Sequence, residues 1–228
     1  MNSNSWRKYG LEFLSIFVAV ILALALNNWN DNRRDRITED KILSEIRNGL
    51  IKDIEDIELN VFGHKEGMKS ISYWTQLIYQ EEVNLDSFPK HYFGITRDFV
   101  SIQNRSGYES LKSKGLDLIQ DDDLRIKIIS LYEYDFATLE KLEESYAETQ
   151  FHRSYFHAIN DLMAPYLGFD EIGQIRIART VAMPEIDRVR MQSILWKIAT
   201  NRGFVLAYYQ EMQTKVEELV ANIEEYLQ

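Results

Sequence analysis

From Phe13 to Leu26 the chain carries one non-apolar residue, Ser15, and Tyr9 and Trp29 bracket the run where interfacial aromatics sit in membrane-spanning helices. A stretch of this composition has three destinations: a bilayer, a large core, or the hydrophobic region of a signal peptide. The uninterrupted run is short, so the bracketed segment 9–29 is what matches a bilayer. Arg7 and Lys8, with Ala23-Leu24-Ala25, supply the basic start and small-x-small site of a signal peptide. Against that alternative, Glu12 interrupts the head of the apolar region and no helix breaker precedes the site. Charged flanks with Trp6 and Trp29 at the edges speak against a core helix. The expected organisation is a tail at 1–8, a transmembrane helix at 9–29 and a soluble helical-bundle domain at 30–228.

Within the anchor, Glu12, Ser15, Ala19, Ala23 and Asn27 recur at steps of three and four, so they share one helical face. Small residues let backbones approach in lipid and polar ones hydrogen-bond across the contact, which makes this stripe a candidate seam for self-association or a partner helix. The plainer alternative is that alanines are common in such helices. Glu12 is an ionisable group in a membrane segment, a candidate for proton binding. Lys8, four residues earlier on the same face, offers the simpler role of pairing.

The 228 residues suit one anchor and a single domain, and 45% hydrophobic and 12% aromatic residues are enough to fill a core. A net charge of -10 excludes nucleic acid as an expected partner, because neutralising phosphates needs clustered Lys and Arg. The absence of cysteine excludes disulfides, thiolate zinc sites and cysteine nucleophiles.

Beyond Trp29, the rhythm Leu43, Ile46, Leu50, Ile54, Ile57, Val61, Met68, Ile71, Trp74, Ile78 predicts one long helix or two in line, with Gly63 and Gly67 as a candidate kink. Residues 81–106 have no clean period and contain turn formers. A short helix over Tyr108–Lys114 should end at Gly115. Asp121, Asp122 and Asp123 supply N-terminal capping chemistry for a second long helix running to about Met163, with Glu140–Glu148 as a solvated face. Pro165, Gly168, Gly173 and Pro184 mark a connector. From Ile186 and Val189 through Ile198, Val205, Met212 and Leu219 to Ile223 the period returns as a third long helix. The expected fold is all-α: one transmembrane helix followed by an antiparallel bundle of long helices with short auxiliary ones.

No catalytic pattern emerges. Glu144, Glu148 and His152 share a face at four-residue steps, which carboxylates on a facing helix would complete as a carboxylate–histidine site, but the Glu-x-x-His pair of di-iron bundles is absent. No serine sits in a nucleophile elbow, and the glycines form no phosphate cradle. Tyr132, Tyr134, Phe136, Tyr146, Phe151 and Tyr155 crowd one region, as core or as the lining of a small-ligand pocket. No cofactor or metal is expected, and no enzymatic activity.

Tyr9-Gly10-Leu11-Glu12-Phe13-Leu14, then Asn27-Asn28-Trp29-Asn30 with Arg33 and Arg34, resembles the anchor of a domain-of-unknown-function family of bacterial single-pass membrane proteins, and Gly107–Gly115 is a second match. The resemblance implies a helical envelope protein with no active site to transfer. It places the body in the periplasm, as an N-terminal signal anchor does, whereas Arg33, Arg34, Arg36 and Lys41 against Arg7 and Lys8 favour a cytoplasmic body by the positive-inside rule. The expectation is a single-pass inner-membrane protein with a periplasmic body, acting as a homo-oligomer or with another envelope protein. The alternatives are a periplasmic small-ligand sensor lacking its own output domain and a carboxylate–histidine metal enzyme.

Overall fold

The computed structural model describes residues 3–228, with side chains described at Tyr9 and from Leu11 onward. Trp6, Arg7 and Lys8, and hence the expected Lys8–Glu12 pair, lie outside the described side chains. The fold is all-α, with a long apolar-headed helix packed against the other helices. Helix α1 runs without interruption over Ser3–Ile78, so the apolar N-terminal segment and the first bundle helix are one continuous helix. Leu11–Ile37 is exposed along its whole length, and the apolar window within it has a mean hydropathy of 2.0 with none of it buried. It is long and apolar enough to cross a membrane.

The helices α2 (Phe88–Gly94), α3 (Ser106–Lys114), α4 (Asp122–Ser130), α5 (Phe136–Glu144) and α6 (Phe151–Met163) follow, then a hairpin of β1 (Leu167–Phe169) and β2 (Ile175–Ile177), and α7 (Glu185–Tyr226). The hairpin is antiparallel, pairing Leu167 with Ile177 and Phe169 with Ile175. The expected caps are present: Gly115 ends α3 at φ 106°, and the Asp121 side chain accepts from Leu124 N at 2.8 Å.

Helix α7 returns antiparallel to α1, and the core between them divides in two. Nearer the apolar N-terminal segment, Leu43, Ile46 and Leu50 of α1 pack with Val205, Met212 and Val216 of α7 and with α3–α5. Farther out, Ile71, Trp74 and Ile78 pack with Met191, Leu195 and Ile198 and with α2 and α6. The C-terminal turn closes against the base of the bundle, where Glu39 Oε1 accepts from Tyr226 OH at 2.8 Å and from Gln120 N at 2.9 Å.

Two expectations change, and Gly63 and Gly67 take on a packing role. The second long helix is not continuous: a π-helical turn at Leu131–Asp135 joins α4 to α5, and the chain leaves the helix at 145–150 before α6. The wide turn inserts a residue into the rhythm, so that the adjacent Leu131 and Tyr132 are both buried. The break is held by side chains that compete for backbone groups. Gln150 Nε2 donates to Glu143 O, Thr149 Oγ1 donates to Leu142 O, and Asp98 Oδ1 accepts from Phe151 N at 2.7 Å. Glycines 63 and 67 mark no break in α1. A Cβ at Gly63 would stand 2.2 Å from the Phe99 ring, and one at Gly67 would stand 2.6 Å from Arg202 Cζ, so both positions give room to side chains from elsewhere. Finally, Ile186 and Val189 are exposed and the buried stripe of α7 begins at Met191, because Val181 and Met183 of the connector already fill that end of the core.

Candidate functional site

Between the two apolar cores lies a polar layer. On α1 the buried stripe passes from Ile57 through Asn60, His64 and Gly67 before turning apolar again at Ile71. On α7 the step between Ile198 and Val205 is occupied by Arg202, which is 0% exposed. Helix α5 contributes Glu143 to the same layer, and the segment between α2 and α3 contributes Ser101 and several backbone carbonyls.

The Arg202 guanidinium can only donate. Nη1 gives its hydrogen to His64 Nδ1 at 3.0 Å, and Nη2 bonds Ile95 O at 3.0 Å and Arg97 O at 2.8 Å. Because Nδ1 accepts, the His64 proton resides on Nε2, which is buried with no partner. Burial and the adjacent guanidinium together hold His64 down to about 3, so it is neutral. Burial lowers Arg202 to about 10, leaving it charged. Its guanidinium lies 4.1 Å from the centroid of the Phe151 ring, where the negative face of the ring replaces part of the lost hydration.

Beside this pair, Glu143 accepts from Tyr209 OH and, at 3.1 Å, from Ser101 N. Ser101 Oγ donates to Asp56 Oδ2 at 2.8 Å, and Asn60 Nδ2 donates to the same oxygen at 3.0 Å. Desolvation pushes the Glu143 carboxyl up to about 7 despite these donors, and raises the Tyr209 hydroxyl well above its usual value. Asp53 accepts from Asn104 N at 2.7 Å through Oδ1, while Oδ2 is buried without a partner, and burial raises this group to about 6. The layer therefore clamps the 95–105 segment to α1, α5 and α7 through polar bonds in a water-poor interior, with His64 Nε2, Asp53 Oδ2 and Arg202 Nε left without partners.

The seam residues expected from the sequence, Glu12, Ser15, Ala19, Ala23 and Asn27, lie on α1 and touch no other element. The Ser15 hydroxyl donates to Glu12 O at 2.8 Å, and Asn27 Nδ2 donates to Asp31 Oδ2 at 3.0 Å. Tyr9 and Trp29 are exposed at either end, with the Arg33 guanidinium 5.9 Å from the Trp29 ring centroid. The break at 145–150 undoes the shared face of Glu144, Glu148 and His152: the first ends α5, the second lies in the turn, and the third opens α6 with its ring stacked on Phe156 at 4.5 Å. Among the described residues no group of three or more metal-ligating side chains converges. Glu143, expected on a solvated face, is 6% exposed.

Sequence reasoning missed Arg202, His64 and Glu143. A signal existed for two of them: the apolar rhythm skips a turn between Val61 and Met68, where His64 stands, and again between Ile198 and Val205, where Arg202 stands. Comparison of the chain with protein-family models, with curated proteins and with solved structures finds no match.

Proposed function

We propose that the protein is a membrane-tethered, non-enzymatic helical module of the bacterial inner membrane, with a periplasmic body, that works by associating with a second copy of itself through the uncovered face of α1. One observation carries the reading. At about 100° per residue, the stripe from Glu12 to Asn27 points to the side of α1 opposite Leu43, Ile46, Leu50 and Ile57, which face the core. Two anchors meeting along that stripe would leave both bodies on the outside and bring the bare flanks of the two rods together. Those flanks carry Ile37, 60% exposed, and Phe62, 61% exposed. The small residues favour close approach in lipid, and the unbroken helix transmits the anchor's rotational setting to the body.

The lack of cysteine makes the test clean. Single substitutions Ala23→Cys and Ile37→Cys should yield disulfide-linked dimers in membranes under mild oxidation. Ile21→Cys, on the core side of the rod, should not. Equal cross-linking at all three positions, or none at any, would remove the reading. A reporter fused after Gln228 and assayed for exposure on each side of the membrane tests the periplasmic placement.

A further inference from the structure

We propose that the groove between α1 and α2 is a binding site for a small apolar monocarboxylate, held by Arg97 at its mouth. The groove lies farther along the same side of α1 and shares Phe62 with the flank assigned above to association, and its test, binding of a small carboxylate, reads separately from cross-linking between copies. It encloses about 560 Å³, within the range of small-molecule sites. Leu59 and Phe62 of α1 and Phe93 of α2 form its rim and are 66%, 61% and 58% exposed, an unusual concentration of bare apolar surface on an acidic body. Gly63, Gly67 and Gly94 also line it, and the space a Cβ would take at each is filled by Phe99, Arg202 and Ser70.

The charges select the ligand. Glu66 in the groove is bound by both Lys69 and Lys90, at 2.5 Å and 2.8 Å, which neutralises it and occupies Lys90. Arg97, exposed at the mouth, makes no side-chain ion pair or hydrogen bond among the described residues. A second guanidinium stands behind the wall. A Cβ on Gly67 would lie 2.6 Å from Arg202 Cζ and 2.7 Å from its Nε, so the glycine brings the groove close to that buried cation. Arg202 has no ion pair among the described residues, and its Nε has no hydrogen-bond partner. The carboxylate of Asp98, whose charge acts on it, instead caps α6 through Phe151 N. One exposed cation, Arg97, stands at the mouth of an apolar trough with a single neutralised carboxylate, and the buried Arg202 adds positive charge behind its wall. A carboxylate forked on Arg97 with a ring or short chain laid against Phe62 and Phe93 matches both. A bilayer lipid does not fit, because Gly63 lies 34 residues beyond Trp29, about 50 Å along the helix.

The full chain in nanodiscs is titrated with 2-naphthoate by equilibrium dialysis, with protein-free nanodiscs as the baseline. The proposal expects one saturable site per chain, weakened about tenfold or more by Arg97→Gln and by Phe93→Ala, and about tenfold weaker binding of uncharged 2-naphthylmethanol. Both substituted side chains are exposed, so the variants are expected to fold, and unchanged unfolding temperatures would verify it. Binding no greater than to protein-free nanodiscs overturns the proposal. So does saturable binding that Arg97→Gln leaves unchanged, or a naphthylmethanol affinity equal to that of naphthoate.

Discussion

Arg202 of α7 donates to Nδ1 of His64 of α1 at 3.0 Å, so the one contact between these side chains in the buried layer joins a permanent cation to an imidazole that must be neutral to accept. The two helices are therefore coupled through a protonation state. Placing a second charge on His64 would set two cations against each other in a medium that screens poorly.

Acid sensitivity follows from that pairing. A base whose folded value is depressed contributes stability that is complete above its ordinary value near 6.5 and is lost as pH falls through about 3. His64→Gln retains an amide oxygen for Arg202 and cannot be protonated. Chemical denaturation of the full chain between pH 3 and 6.5 should show this variant losing less stability on acidification than the parent, by several kcal/mol at the acid end. Parallel pH profiles would mean that His64 does not titrate against folding.

Glu143 acts in the opposite direction. Its carboxyl is raised from 4.5 to about 7, so its contribution is complete below about pH 4.5 and is lost as pH rises through 7. Asp53, raised to about 6, adds the same sign at slightly lower pH. These trends oppose that of His64 between pH 4.5 and 6.5, and the parent's profile there hides all three. Glu143→Gln removes one of them: relative to the parent, the variant should gain stability progressively from pH 4.5 to 7, on the order of 3 kcal/mol in total. A constant difference across that range would place the raised carboxyl elsewhere.

Space matters as much as charge in this layer. A methyl group on Gly67 meets the Arg202 guanidinium at 2.6 Å, so Gly67→Ala should destabilise by about 1–3 kcal/mol, the usual range for overpacking. Arg202→Ala should also destabilise, because the carbonyls of Ile95 and Arg97 and the ring of His64 lose their donor. The double variant should be less destabilised than the sum, since the methyl then has room. Additive losses in thermal unfolding would show that the glycine is needed for another reason.

The long helices were legible in the sequence because each buries a stripe that repeats every three or four residues over many turns. The caps at Asp121 and Gly115 were legible because their chemistry is local. The break at 145–150 was not, since it depends on Asp98, more than fifty positions away in sequence, capping α6. Glu143 looked solvated because its neighbours in sequence are acidic, whereas its partner Tyr209 arrives from α7. Gly63 and Gly67 read as helix weakeners for the same reason: the side chains that need their space belong to other elements. What tertiary contacts alone decide leaves at most a gap in an apolar rhythm, as at His64 and Arg202.

The continuity of α1 gives the association reading its most discriminating test. Inserting two alanines between Arg34 and Asp35 lengthens the rod by about 3 Å and turns the anchor by about 200° relative to the body, while seven alanines turn it by nearly two full rotations and restore its facing. Asn48 is exposed and lies on the same side of the rod as the anchor stripe, so Asn48→Cys should cross-link between copies at native spacing. That cross-link should disappear with two inserted residues and return with seven, while Ala23→Cys above the insertion cross-links in all three. Retention of the Asn48 cross-link in the two-residue insertion would mean that the bodies find each other without the anchor, and loss in both insertions would mean that the distance from the membrane, rather than the face of the helix, sets the contact.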